Sequence, residues 1–308
     1  MCNLCSHNVI SSSNLTSDHQ KVLGVIGAAR RRNIHAGKKN GLSESALRAE
    51  WQSVNAIKDV SGRPLRRDLK SLFREQRTKL IHNLEKKVGL KVLQQKDEIL
   101  PFIVQTLLDW AEWFERTKDE AKPGTVFAMR EGYNTGLNRI AVEGPDFTSN
   151  TPRVQQVLQE ILGQTKRTQD TFQKIVAQQI QIGLSEGQSM SGIVARVASK
   201  TEEQIGFRLD RIVQTASRGG FEAGQRESFR DSGIQELRWL TERDARVRTP
   251  ANNDKWNHRA ADSQTVGIND PFLITGKGGR SETLRFPGDP MGSPGNTIYC
   301  RCTIRPVS

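Results

Sequence analysis

The sequence predicts an α+β protein in which an elongated, mainly helical N-terminal part is followed by a small α+β C-terminal domain with short strands. Three observations predict this class. Apolar residues recur at helical spacing over most of residues 18–233. After Gly233 the pattern alternates with a period of two, and Gly, Pro, Asn and Asp become frequent. Hydrophobic residues make up only 35% of the 308 positions, a lean composition that is typical of long helices.

The chain divides into three predicted segments. Residues 1–20 are polar and lack periodicity, which indicates a mobile tail. Residues 21–182 form the helical, basic N-terminal part, and residues 183–308 form the α+β domain. No apolar run approaches the roughly 18 residues that span a bilayer. The short stretch "VLGVIGAA" is followed rather than preceded by arginines, so it predicts a buried helix and not a signal peptide. We therefore expect no membrane contact and synthesis in the cytoplasm.

Positive charge is concentrated near the N-terminal end. The net charge is +12, and residues 30–100 alone hold 18 basic and 8 acidic side chains. Within this region Arg66, Lys70, Arg74 and Arg77 form a stripe at helical spacing. A local basic stripe is typical of sequence-independent contact with the phosphates of double-stranded DNA. An ordinary solvated helix face is the alternative interpretation.

The helix beneath this stripe has its own apolar face. Its members recur at helical spacing and are Leu65, Leu69, Leu72, Phe73 and Leu80. Pro64 suits the first turn of this helix, and Gly89 suits its C-terminal end.

Three further helices are predicted from their capping residues. Thr151 is a predicted N-cap, and Pro152 follows it in a helix that reaches Gly183. Ser189 can cap a short helix, and the "TEEQ" motif that begins at Thr201 fits a capping box that opens the next helix. That last helix should end near Gly233.

Strands are predicted in the C-terminal part at "IQELRWLTE", "PFLIT", "ETLRF" and "TIYCRCTIRP". In the last of these, period-two alternation places Ile298, Cys300, Cys302 and Ile304 on one face and Arg301 on the other. This segment should close the domain, with the cysteines toward its core.

Trp239, Asp244, Arg246 and Arg248 lie in "WLTERDARVRTP", and we assign them a structural role. An Asp side chain accepts hydrogen bonds from backbone amides two or three residues further on, and a buried Trp packs across a sheet. Pairing of Asp244 with an arginine would hold the turn. Arg301 would then brace this turn or present its charge to a partner.

A zinc site is the alternative interpretation of the cysteines. Cys300 and Cys302 could bind the metal with His258 and Asp262. Against this, same-face residues of a regular strand diverge, and zinc motifs usually begin with two to four intervening residues. We therefore predict structural, metal-free thiols and no cofactor. The N-terminal "MCNLCSH" offers three further ligands without a fourth.

No enzyme motif stands out in the sequence. The "GKGG" stretch lacks the strand, loop and helix context of a phosphate-binding loop, and no catalytic triad or carboxylate pair is evident. We predict no catalytic residues and a non-enzymatic protein.

The C-terminal third resembles the phage Mu F-like head morphogenesis proteins, also called minor head or minor capsid proteins. The resemblance covers about residues 183–303. It depends on an ordered series of motifs, namely "GLSEGQS", "RIVQTASRGGFEAG", "WLTERDARVRTP", "HRAAD", "NDPF", "FPGDP" and "YCRC". The closing Cys-Arg-Cys after a loop rich in Pro and Gly is its most specific mark. The chain has Ala216 after Thr215, where the family usually has an acidic residue.

The resemblance implies a minor capsid protein of a tailed phage. Such a protein would associate with the portal vertex and act in head assembly or in DNA passage and ejection. Its implied partners are the portal protein, packaged double-stranded DNA and other capsid or scaffolding proteins. It would reside in the virion, inside the head near the portal, and in the host cytoplasm during assembly. The alternatives are a metal-dependent enzyme or toxin module built on the C-terminal domain, and a host nucleic-acid-binding protein.

Overall fold

The computed structural model describes residues 44–87 and 100–307. The predicted N-terminal tail, the "VLGVIGAA" segment and Gly89 lie outside these residues. The helices are α1 (Glu44–Ser61), α2 (Arg63–Lys87), α3 (Leu100–Leu107), α4 (Trp110–Ile140), α5 (Pro152–Gly163), α6 (Thr165–Ser185), α7 (Met190–Asp231), α8 (His258–Ala261) and α9 (Pro294–Thr297). The strands are β1 (Glu236–Leu240), β2 (Thr265–Gly267), β3 (Phe272–Thr275), β4 (Ser281–Leu284) and β5 (Thr303–Val307).

The predicted fold class is confirmed. Long helices form the N-terminal part, and short antiparallel strands follow in the C-terminal part. The helices of the described residues include none with the length and apolar character that crossing a membrane requires.

The long helix α7 organises the packing. It lies against α2, α4, α5 and α6, and β5 packs on its C-terminal half. One apolar cluster extends from Leu65 on α2 to Ile304 on β5. The apolar face predicted for α2 is buried within this cluster. The boundary predicted at residue 183 lies in the last turn of α6, and the cluster continues across it.

Helices α4 and α7 approach each other closely because glycines face the partner backbone. A Cβ atom on Gly132 would lie 1.9 Å from the carbonyl oxygen of Phe221. A Cβ atom on Gly224 would lie 1.9 Å from the carbonyl oxygen of Met129. Both distances are far below van der Waals contact, so these two positions require glycine.

The predicted single helix from Thr151 to Gly183 is wrong, because the chain turns at Gln164 between α5 and α6. Thr151 does cap α5, where its hydroxyl accepts a hydrogen bond from the amide of Val154. The amide of Gln164 bonds to the carbonyl of Ile161, a tight turn that ends the α-helical ladder. Its side chain donates to the carbonyl of Pro290 at 2.6 Å, a contact that no local pattern could reveal.

The predicted helix start at Thr201 is also wrong, because α7 is continuous from Met190 to Asp231. The N-cap at Ser189 is confirmed by its hydrogen bond from the amide of Gly192 at 3.2 Å. Thr201 is buried, and its hydroxyl donates back to the carbonyl of Val197 at 2.7 Å. A threonine inside a helix bonds to the preceding turn in this way, so the resemblance to a capping box was accidental.

The strands form a three-stranded antiparallel sheet in the order β2-β1-β5 and a separate β3-β4 hairpin. Trp239 pairs with Ile304 across β1 and β5, and both side chains are fully buried. Phe272 and Leu284 pair at the start of the hairpin, where both are buried. The strands predicted at "IQELRWLTE", "PFLIT" and "ETLRF" are confirmed.

A tyrosine at the α4–α7 contact gives the fold an alkaline pH dependence. The hydroxyl of Tyr133 donates to Asp231 at 3.0 Å. Burial and this hydrogen bond raise the pKa of Tyr133 from 10.0 to about 12. The folded chain therefore keeps a proton that the unfolded chain releases, and the free energy of unfolding should fall as the pH rises through this window. Denaturant titrations at several pH values should show this fall, and Tyr133→Phe should make it shallower; parallel curves for the two proteins would contradict the assignment.

Candidate functional site

A thiol–imidazole cluster, formed by His258, Cys300 and Cys302, lies in the interior of the C-terminal part. Nδ1 of His258 is 3.5 Å from the sulfur of Cys300 and 3.4 Å from the sulfur of Cys302. All three side chains are buried, and their ligand atoms lie within 4.8 Å of one another. Among the residues in the ranges 44–87 and 100–307, this is the group of His, Cys and acidic side chains that could hold one metal ion.

The backbone before β5 explains why the two sulfurs converge. The sequence predicts a strand from Thr297, but β5 begins only at Thr303. Tyr299 has a φ of 59°, in the left-handed region that few residues other than glycine adopt. The amide of Cys300 turns back to the carbonyl of Thr297 at 3.1 Å. The assumption of a regular strand was therefore wrong here, and so was the objection that Cys300 and Cys302 must diverge.

Arg248 also binds the backbone of the loop before β5. Its guanidinium donates to the carbonyl of Asn296 at 2.5 Å and to the carbonyl of Ile298. Asp254 lies 3.4 Å from its Nε. Arg248 thus fixes the chain just before the cysteines.

Asn296 and Glu282 fix the ring orientation of His258. Its Nε2 lies 2.6 Å from Oδ1 of Asn296, and the amide nitrogen of Asn296 donates to Glu282 at 2.7 Å. Because that nitrogen is committed to a carboxylate, the atom that faces the ring is the amide oxygen, an acceptor. Nε2 therefore carries a ring proton that it donates to Asn296, and Nδ1 faces the two sulfurs. Trp239 packs edge-on against the ring, with centroids 5.6 Å apart.

The two thiols differ in acidity. A hydrogen bond from Cys302 lowers the pKa of Cys300 well below its ordinary value, with help from His258 and against the effect of burial. Burial raises the pKa of Cys302 well above its ordinary value, and the neighbouring Cys300 adds to that shift. The pair therefore releases its first proton easily and holds the second.

Cys300, His258 and Asn296 have the order of a nucleophile, a base and an orienting group. However, only 4% of the Cys300 surface and 1% of the His258 surface are exposed. A substrate could not reach the sulfur without an opening of the fold, so this arrangement is suited to holding an ion or to packing.

Asp244 organises the turn after β1. Its carboxylate accepts a hydrogen bond from the amide of Arg246 at 2.9 Å, and a second from the side chain of that arginine at 2.9 Å. Arg301 donates to Asp244 at 3.0 Å and also pairs with Glu242. Burial alone would raise the pKa of Asp244, but the hydrogen bonds from Arg301 and Arg246 outweigh it and hold this pKa well below its usual range. Arg301 thus braces the turn.

Helix α1 binds the backbone of the Cys-Arg-Cys segment. The indole nitrogen of Trp51 donates to the carbonyl of Arg301 at 2.8 Å, and Asn55 donates to the same oxygen at 3.2 Å. Lys58 donates to the carbonyl of Cys302 at 2.9 Å and forms an ion pair with Glu222 of α7. The segment is thereby fixed between α1 and α7.

Asp262, the fourth zinc ligand considered from the sequence, is engaged elsewhere. Its carboxylate accepts hydrogen bonds from the amide of Thr241 at 2.8 Å and from Arg243 at 2.7 Å. It therefore belongs to the polar network at the end of β1 and not to the thiol–imidazole cluster.

The predicted basic stripe on α2 is divided in two. Arg66 forms an ion pair with Asp210, and Arg77 donates to the carbonyl of Ala198 at 2.9 Å, so both reach across to α7. Lys70 and Arg74 are exposed. The exposed surface of α2 remains strongly basic. Its exposed basic side chains are Arg63, Arg66, Arg67, Lys70, Arg74, Lys79 and Lys86, against two exposed acidic ones, Glu75 and Glu85.

Sequence reasoning missed Lys58, Asn296 and Glu282. For Lys58 a signal exists, because it lies at helical spacing from Val54 on an otherwise apolar face. For Asn296 and Glu282 no local pattern signals the role, since each is defined by contacts with residues distant in sequence.

Comparisons of the chain with protein-family models, with curated proteins and with solved structures gave no match.

Proposed function

We propose that the chain is a minor capsid or head morphogenesis protein of a tailed phage, which acts at the portal vertex in head assembly and DNA passage. One observation carries the proposal: several motifs of the resemblance that lie far apart in the sequence are neighbours in the fold. Arg218 of "RIVQTASRGGFEAG" donates to the carbonyl of Cys300 in "YCRC" at 3.3 Å. Gly219 of the same motif lies against the backbone of Gly288 in "FPGDP".

The closeness of these motifs supports a common structural unit. A Cβ atom on Gly219 would lie 3.0 Å from the carbonyl oxygen of Gly288, which is tighter than most Cβ contacts, so glycine at position 219 favours this close approach. Gly288 itself has a φ of 79°, which favours glycine. Glu222 of "RIVQTASRGGFEAG" accepts a hydrogen bond from the amide of Ile304, two residues after "YCRC". Residue types that the series shares with the Mu F-like family thus have physical reasons to occur together.

A structural rather than an enzymatic role is supported by the burial of the reactive groups. The alternative, a metal-dependent enzyme or toxin module, needs a reactive centre open to a substrate. The thiol–imidazole cluster is covered by Trp239, α1 and the loop before β5. We therefore favour a protein whose partners are the portal protein, other capsid or scaffolding proteins and packaged DNA.

Electron cryo-microscopy of phage particles purified from cells that produce this chain tests the proposal. We expect density for the long α4 and α7 helices next to the portal at the unique vertex, inside the head. The same density distributed over the icosahedral shell, or particles that lack the chain, would contradict the proposal. Immunoprecipitation of the portal protein from cells during assembly provides an independent measurement.

The exposed basic surface of α2 predicts DNA binding without sequence preference. Replacement of Lys70 and Arg74 by glutamine should lower the slope of log Kd against log salt by about 2, because each lost phosphate contact removes about 0.9. Fluorescence anisotropy with two unrelated duplexes at several salt concentrations measures this slope. Arg66 and Arg77 should contribute less, since both are already bonded to α7.

The matched control is replacement of Arg167 and Lys174 by glutamine, which removes two exposed charges from α6. This variant should keep the original slope. If both variants lower the slope equally, net charge and not the α2 surface governs binding. If neither does, the surface of α2 is merely solvated.

A further inference from the structure

We propose that the thiol–imidazole cluster binds one zinc ion through Nδ1 of His258 and the sulfurs of Cys300 and Cys302. Zinc takes thiolate ligands at about 2.3 Å and imidazole nitrogen at about 2.0 to 2.1 Å in a tetrahedral arrangement. These lengths place a ligand nitrogen and a ligand sulfur about 3.5 to 3.6 Å apart. The observed distances from Nδ1 to the two sulfurs are 3.5 and 3.4 Å, which fit two edges of such a tetrahedron.

The position of Nδ1 between the two sulfurs is suited to a shared metal ion. Nε2 of His258 is bonded to Asn296, which leaves Nδ1 as the ring atom that faces the cluster. Nδ1 lies 3.5 Å from one sulfur and 3.4 Å from the other, as expected if one ion binds all three atoms.

Charge balance favours the same assignment. Two thiolates neutralise a divalent ion, so the complex adds no net charge to a buried site. Binding releases the thiol protons to solvent and involves no oxidation or reduction. Sulfur and imidazole ligands select zinc over magnesium or calcium, which prefer oxygen.

The surroundings match the usual support of a metal-bound histidine. Such a ring commonly donates its second N–H to a carbonyl or carboxylate, which fixes its orientation. Asn296 accepts that proton here, and Glu282 fixes Asn296 through a hydrogen bond of 2.7 Å. Three protein ligands leave the fourth tetrahedral position for a water molecule or another small donor.

Metal analysis of the full chain tests the proposal. Cys2 and Cys5 are first replaced by serine, because the "MCNLCSH" motif could bind zinc by itself. Protein purified without chelator should contain about one zinc per chain. Cys302→Ser and His258→Gln should each reduce the zinc content at least about tenfold. Tyr299→Asn is the matched control, because it changes an exposed side chain in the same loop. Asparagine tolerates the positive φ of this position, so the fold and the zinc content should not change.

A cobalt titration keeps the test independent of ligand variants that fail to fold. Zinc-free protein on the Cys2→Ser/Cys5→Ser background should take up one equivalent of Co²⁺ and develop a near-ultraviolet thiolate-to-cobalt charge-transfer band. Zinc content below about a tenth of an ion per chain, together with no such band in folded protein, would overturn the proposal. Zinc that persists at full content in a folded Cys302→Ser variant would overturn it as well.

Discussion

Replacing Gly224 by alanine should prevent helices α4 and α7 from packing and should lower the free energy of unfolding by more than about 3 kcal/mol. The added Cβ atom would lie 1.9 Å from the carbonyl oxygen of Met129 and 2.9 Å from the amide nitrogen of Tyr133. Both clashing atoms belong to the backbone, so no side-chain rotation can relieve the overlap. The helices must separate, and the apolar cluster that they share must open.

The matched control is Gly206→Ala in the same helix. Gly206 is exposed, and an added Cβ atom would have no other atom within 4 Å. Alanine should therefore stabilise α7 there by up to about 1 kcal/mol through helix propensity. Urea titrations followed by circular dichroism compare the two variants. Equal unfolding midpoints for Gly224→Ala and the original protein would show that α4 and α7 do not approach as closely as described.

Replacing Lys58 by methionine should destabilise the fold by about 3 to 5 kcal/mol, the usual cost of leaving a buried charge without its partner. Burial lowers the pKa of Lys58 and raises the pKa of Glu222, and each partner opposes the shift of the other. At most 1% of either side chain is exposed. Methionine preserves the apolar stem but removes the ion pair and the hydrogen bond to the carbonyl of Cys302.

The double variant Lys58→Met/Glu222→Gln should recover part of this loss. Glutamine is uncharged and still offers an oxygen to the amide of Ile304, which Glu222 accepts from at 3.1 Å. Lys166→Met, which removes the exposed pair with Asp170 on α6, should change stability by no more than about 0.5 kcal/mol. A double variant less stable than Lys58→Met would indicate that the buried pair is not the source of the effect.

Local features of this fold could be predicted from the sequence because they depend on neighbouring residues. The N-caps at Thr151 and Ser189 and the buried face of α2 follow from side-chain chemistry within one or two turns. The break between α5 and α6 at Gln164 and the continuity of α7 through Thr201 could not be predicted. At Gln164 the side chain bonds to the distant Pro290, and no local pattern signals this contact. At Thr201 the hydroxyl bonds to Val197 within the helix and does not cap a new one.

The candidate site shows the same limit. The sequence predicts the burial of Cys300 and Cys302 because period-two alternation places both on one face with Ile298 and Ile304. It does not predict that their sulfurs meet at His258, since this depends on the left-handed backbone of Tyr299 and on contacts across about 40 residues. The chemistry of the site therefore arises from tertiary structure and not from the spacing of the cysteines.

The hydrogen bonds between α1 and the Cys-Arg-Cys segment have a consequence for folding during biosynthesis. Trp51 and Lys58 bind carbonyls of residues that the ribosome adds 250 and 244 positions later. Helix α1 can pack against α4 and α7 earlier, but these two hydrogen bonds must form after almost the whole chain is translated. We therefore expect them to be among the last contacts that form during folding. A nascent chain stalled before Arg301 would present this face of α1 to chaperones or to other subunits.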